Sequence, residues 1–224
     1  MAEAHITATI SPDLVFSVRS TLDLSLALAV KGSVRRIGIN SYTPHAFAAY
    51  VASVASIEAF VNETFLGWMC RSSFNASALW DIPTDTLEKT DLLLKLILVP
   101  QFLFGQTFGR GKQPFQDFAL LCRVRNDIVH FMMQCQEPKY VRTLCHRKIA
   151  LVDRPDEIGP WPHKLSSSEG IRWAHNTACA VAHQLVSFIP PGRRDLLGYL
   201  VTNFVHINES EVEAYLSAAQ QSAA

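Results

Sequence analysis

The stretch LCRVRNDIVHF, Leu121 to Phe131, sets an arginine, an asparagine and a histidine inside an apolar run with helical spacing. An imidazole exchanges protons near neutral pH, and a guanidinium offers fixed, always-charged donors to an anionic oxygen. Arg125, Asn126 and His130 are therefore the side chains whose types suit proton transfer beside a negative group.

Successive helical residues turn by roughly 100°. That rotation puts Phe118, Leu121, Cys122, Val124, Ile128, Val129 and Met132 on one broad apolar face, with Arg125 near its middle. Asn126, His130 and Arg123 share the opposite, polar side. Arg125 and His130 are five positions apart, so roughly 140° of rotation separates them. An earlier segment repeats the oddity. Phe47, Val51, Val54, Val61 and Phe65 make an apolar stripe that contains Glu58, and Asn62 sits one turn later at its rim. An isolated buried charge costs several kcal/mol, so the sequence predicts that Glu58 and Arg125 pair where these two helices meet. Wheel geometry alone ranks that pair as structural before catalytic.

The elements that must position these residues read as follows. Thr43 caps a first long helix with Pro44 in its first turn, running to about Arg71. A second helix runs from Thr84 through LEKTDLLLKLIL and stops before Pro100. FGQTFGRGKQP is a loop, and a third helix extends from Phe115 to about Cys135. The proline-rich stretch from Glu137 is a loop with one short helical piece. Ser166 and Glu169 have capping-box spacing and start a fourth helix, ended by Pro190-Pro191-Gly192. A short fifth segment spans Arg194 to Phe204. The predicted fold is all-α, an up-and-down bundle of four to five helices. The helical domain covers 43–204, after an N-terminal extension, 1–42, and before a polar tail, 205–224. In the extension, ITATI and LVFSV flank Ser11-Pro12-Asp13, which suits a short β-hairpin.

The 224 residues are 49% hydrophobic and 18% charged, which supports a sizeable core and argues against disorder. Twenty basic residues balance twenty acidic ones, so bulk attraction to nucleic acid or to an anionic membrane is excluded as a driving force. The five cysteines are widely spaced, without a CxxC pair, and read as reduced, buried thiols. Cys145-His146 is a weak start for a zinc site, and no metal or other cofactor is expected. The first residues lack the pattern of a secretory signal. The most apolar run is broken by Lys95 and Pro100 and is too short to span a bilayer. The expectation is a soluble, cytoplasmic protein with no membrane contact.

Arg125-Asn126-Asp-Ile-Val-His130 resembles the signature of the HEPN superfamily (higher eukaryotes and prokaryotes nucleotide-binding domain): an arginine, a polar residue and, a few positions on, a histidine. ASIEAFVNETF, with Glu58 and Asn62, is similar to the opening helix of several HEPN families, and RWAHNTACAVAHQL to the closing one. The resemblance covers roughly Pro44 to Pro190. It implies a HEPN-like bundle and a metal-independent endoribonuclease, with a toxin or defence role among such proteins. It also implies a homodimer whose two motifs face one cleft, and an antitoxin or nucleotidyltransferase as partner. RNA cleavage through its own 2′-hydroxyl needs a base, an acid and positive charge on the phosphate. The resemblance gives His130 the proton transfers and Arg125 the phosphate. Glu58 then holds the guanidinium, and Asn126 orients imidazole or phosphate. Arg123, on His130's own face, is the reserve phosphate ligand. A non-catalytic HEPN domain that binds nucleotide or RNA, or serves as a scaffold, is the alternative. Arg110, Lys112, Arg142, His146, Arg147 and Lys148 flank the motif helix and suit a basic rim for single-stranded RNA, or equally ordinary solubilising charge.

Overall fold

The computed structural model describes residues 44–62, 86, 89–130, 136–152, 161–191 and 204–208. Among them the regular structure is entirely helical: α1 (Pro44–Ala59), α2 (Leu92–Phe104), α3 (Phe115–Val129), α4 (Lys139–His146) and α5 (Ser168–Ser187), with a 3₁₀ turn at Trp161–Leu165. The expected N-terminal hairpin, the far end of the first helix and residues 194–203 of the fifth segment lie outside the described residues.

Helices α1, α3 and α5 pack against one another in a triangle, with α1 and α5 the most closely apposed pair. Small residues explain the closeness. Ala46, Ala49 and Ala52 on α1, and Ala174, Ala178 and Ala182 on α5, are all buried, and short side chains let helix axes approach. Tyr50, Val54, Ile57, Phe60, Phe118, Leu121, Val124, Val181 and Leu185 fill the core between them. Of the stripe expected on the first helix, Val54 and Val61 are buried and Phe47 packs against the core, whereas Val51 is exposed and Tyr50 and Ile57 widen the buried face. Val129 likewise leaves the expected apolar face of the third helix and is 55% exposed, because it lies in the last turn, beyond the packed length of α3.

Helix α3 ends at Val129, with His130 as its cap, rather than at about Cys135. Three other boundaries differ from the sequence reading for local reasons. Helix α2 is capped by Asp91, whose carboxylate accepts the N–H of Leu94 at 3.1 Å, so it starts at Leu92 rather than Thr84, and it runs through Pro100 rather than stopping before it. Proline fits helical φ and loses one hydrogen bond, a defect that a buried apolar helix tolerates. The stop comes at Gly105, where φ is +66° and the N–H returns to Gln101 O. Helix α5 is capped by Ser167, not Ser166: Ser167 Oγ accepts from Gly170 N at 2.8 Å and donates to Ile149 O. Glu169 instead accepts from Ser168 Oγ and faces Arg172. The loop 105–114 and the short helix after residue 137 are as expected.

Gly170 shows how tight this corner is. A Cβ there would fall within 3.0 Å of Tyr50 Oη, Ser167 Oγ and Ile149 O. Tyr50 is fully buried and donates to Leu165 O at 3.2 Å, so α1 is tied to the lead-in of α5. Burial raises its phenol above the usual range. None of the described helices is long and apolar enough to cross a membrane.

Candidate functional site

Helix α3 carries the motif to its C-terminal end. His130 is the cap residue, and its backbone N–H reaches Asn126 O at 2.9 Å. Arg123, Asn126 and His130 are exposed, and no other described residue hydrogen-bonds their side chains. Arg125 is half-buried, and its Nε is enclosed without an acceptor. The helix stays regular through Val129, so the wheel separation between Arg125 and His130 persists within one chain.

Glu58 and Arg125 do not form the expected pair: no hydrogen bond or ion pair joins them. Both instead flank the thiol of Cys122, together with Asp91 at the start of α2. Burial pushes that thiol up to about 12. Arg125 pulls the other way, and Asp91 and Glu58 add to the rise. Opposite charges thus share a neighbourhood while each stays half-buried or exposed, which removes the need for direct contact that full burial would impose.

Asn62 has a partner that the sequence reading missed. The residues that follow α1, 60–62, continue in π geometry, and Asn62 Oδ1 accepts from Lys95 Nζ at 2.7 Å. Lys95 on α2 is only 2% exposed. Its signal was present as a single charge inside LLLKLIL, but nothing local says where its ammonium goes. Asp127, inside the motif, accepts from Tyr140 on α4 at 2.7 Å. Burial, with the neighbouring Asp127 carboxylate, raises the Tyr140 phenol.

The basic residues flanking the motif helix divide. Arg110, Lys112, Arg142 and Lys148 are exposed. Arg147 is committed: its two terminal nitrogens grip Asp117 in a fork of 2.6 and 2.7 Å. Trp173 Nε1 also donates to Asp117, at 3.3 Å, so the indole is tied to the same carboxylate. Burial alone would raise the Asp117 carboxyl, but hydrogen bonds from Arg147, Gln113 and Trp173 outweigh it and hold the carboxyl below its usual value. Phe115 and Phe118 are core.

A second polar cluster lies on α5. His175 Nε2 meets Val205 O at 3.0 Å, and His183 Nε2 meets Phe204 O at 2.6 Å. The Asn176 carboxamide pairs with Ile207 twice, donating to its O and accepting its N–H, both at 2.8 Å. Cys179 Sγ lies 3.4 Å from His175 Nε2 and also reaches Val205 O. Burial lowers the His175 imidazole below its ordinary value and pushes the Cys179 thiol up to about 12. A thiol held neutral in this way is a poor nucleophile. The spacing of His175, Cys179 and His183, each four apart, marks one helix face, though spacing could not reveal residues 204–208 lying across it. Residues 205–208, read from sequence as the start of a polar tail, are docked here. Among the described residues no three His, Cys, Asp or Glu side chains are grouped to hold a metal ion. Cys145 donates instead to Leu151 O at 3.2 Å.

No family model, no curated protein and no solved structure matches the chain.

Proposed function

We propose that the chain is a metal-independent endoribonuclease of the HEPN type, acting as a homodimer on single-stranded RNA in the cytoplasm. The observation that carries this reading is the exposure of Asn126 and His130 together at the end of α3, with Arg123 one turn earlier and no described side chain engaging them. The polar groups of α5 that meet residues 204–208 are tied to main chain, whereas these face outward.

In the proposed reaction one His130 takes the proton of the 2′-hydroxyl, and the freed oxygen bonds to phosphorus. The bond from phosphorus to the 5′-oxygen breaks, and the second subunit's copy of the same imidazole protonates the leaving oxygen. The products are a 2′,3′-cyclic phosphate and a 5′-hydroxyl end. Arg125, with Arg123 in reserve, neutralises the phosphate, and Asn126 orients it or the ring. Arg110, Lys112, Arg142 and Lys148 supply an exposed basic rim; Arg147 is less suited because Asp117 holds it. A toxin or defence effector of this kind works beside an antitoxin or a nucleotidyltransferase partner.

The test is RNA cleavage in EDTA by wild type and by His130→Ala, with the ends mapped. Cyclic-phosphate ends from wild type and none from the variant are expected. Equal cleavage by both removes His130 from the mechanism. A second reading, a non-catalytic HEPN domain that binds RNA, nucleotide or protein, is favoured by the separation of Arg125 and His130 around a regular helix. RNA binding by both proteins with cleavage by neither would select it.

A further inference from the structure

Residues 204–208 lie antiparallel to α5: Phe204 is held at His183, Val205 at His175 and Cys179, and Ile207 at Asn176. The polar contacts go to main chain, and Phe204 and Ile207 are the buried anchors, with the Phe204 ring 5.3 Å from that of Phe60. The segment is therefore a strap fastened across α5 onto the end of α1.

The fastening has a fixed proton inventory. A carbonyl only accepts, so His175 and His183 each carry hydrogen on Nε2. The rings of His183 and His206 stack at 5.8 Å with 17° between their planes. Neutral rings stack without penalty. Two imidazolium rings at that distance repel, and a charged His175 is opposed by burial. The titratable groups facing the strap among the described residues are His175, Cys179 and His183 on α5 and His206 on the strap itself; α1 contributes the uncharged Phe60.

We infer that residues 204–208 are an acid-released latch: charging His175 and His206, which lie at its contacts with α5, undoes the strap while the helices stay folded. The direction of titration agrees. Burial lowers both His175 and His206 from the ordinary 6.5; at His175 it outweighs the hydrogen bond to Val205 O, which favours the charged ring, and His206 adds to the lowering, as His183 does at His206. Groups depressed on closure stabilise the closed form above the ordinary value, and that stabilisation is lost as pH falls through the depressed one. Release withdraws Phe204 from Phe60, which lies between Glu58 and Asn62. The latch holds or fails independently of any ribonuclease activity.

Amide hydrogen exchange, corrected for intrinsic rates, reads the latch at the Ile207 N–H, which Asn176 accepts. Between about pH 7.5 and pH 5.5 its protection is expected to fall by up to about tenfold for each histidine that closure lowers. Amides inside α5, such as Ala178, are expected to keep their protection, and His206→Gln to reduce the loss at Ile207 severalfold. Equal Ile207 protection at both pH values overturns the latch. So does a parallel loss at Ala178, which is whole-domain unfolding, or an undiminished loss in His206→Gln. Should that variant fail to fold, the Ile207 and Ala178 amides of the wild type decide alone.

Discussion

Two helix segments rich in polar residues are treated in opposite ways by this fold. On α5, His175, Asn176, Cys179 and His183 each meet main chain of residues 204–208. At the end of α3, Arg123, Asn126 and His130 meet no described partner. Both segments look alike as strings, a few polar residues at helical spacing. Among the described residues, the difference is whether another segment lies across them. Where one does, the residues hold the structure; where none of the described segments does, the polar groups stay exposed.

Substitutions can break or sharpen that contrast. The largest effect is expected from Gly170→Ala, which forces a methyl group into Tyr50, Ser167 and the Ile149 carbonyl beside α5. Overpacking against backbone costs about 3 kcal/mol, to be read as a drop in the denaturation midpoint. Asn176→Ala leaves the N–H and O of Ile207 without their partner, an expected loss of about 2 kcal/mol by the same measurement. Tyr140→Phe removes the donor to Asp127 and is expected to cost about 1 kcal/mol. His130→Ala and Asn126→Ala, being exposed, are expected to change stability by less than about 0.5 kcal/mol while abolishing RNA cleavage. A large stability loss in either would erase the contrast.

Acid separates the regions too. Asp117 is held below its ordinary 3.8, so its contribution is present above that value and is lost as pH falls through the lowered one. The clamp between α3 and α4 is therefore expected to survive the acidity that opens the strap. Below about pH 4, the melting temperature of wild type should fall more steeply than that of Asp117→Asn. Parallel curves would remove Asp117 from the acid response.

What could be read from the string follows the same division. Local periodicity foretold the presence of α1, α3 and α5, the loop at 105–114 and the exposed side bearing Asn126 and His130, but it carried α3 about six residues past its end at Val129. It misplaced the end of α2 because a proline is a strong stop in isolation, yet Pro100 sits inside a buried apolar helix. It chose Ser166 over Ser167 because two serines in a row offer the same cap chemistry, and only the Ile149 carbonyl tells them apart. It joined Glu58 to Arg125 because each had one obvious opposite charge, whereas the folded chain also brings Asp91 and Cys122 to the same place. Lys95 to Asn62 and Asn176 to Ile207 bridge about thirty residues, and no spacing rule reaches that far.

Helix α4 grips α3 twice, through Tyr140 at Asp127 and Arg147 at Asp117, ten residues apart or about 15 Å of helix. Two ties spaced along a rod, as in a splint, resist swivelling and tilting more than either does alone. Any tug on the imidazole end must drag the splint along, so force applied there would be felt at Trp161, whose ring meets Tyr140 edge-on.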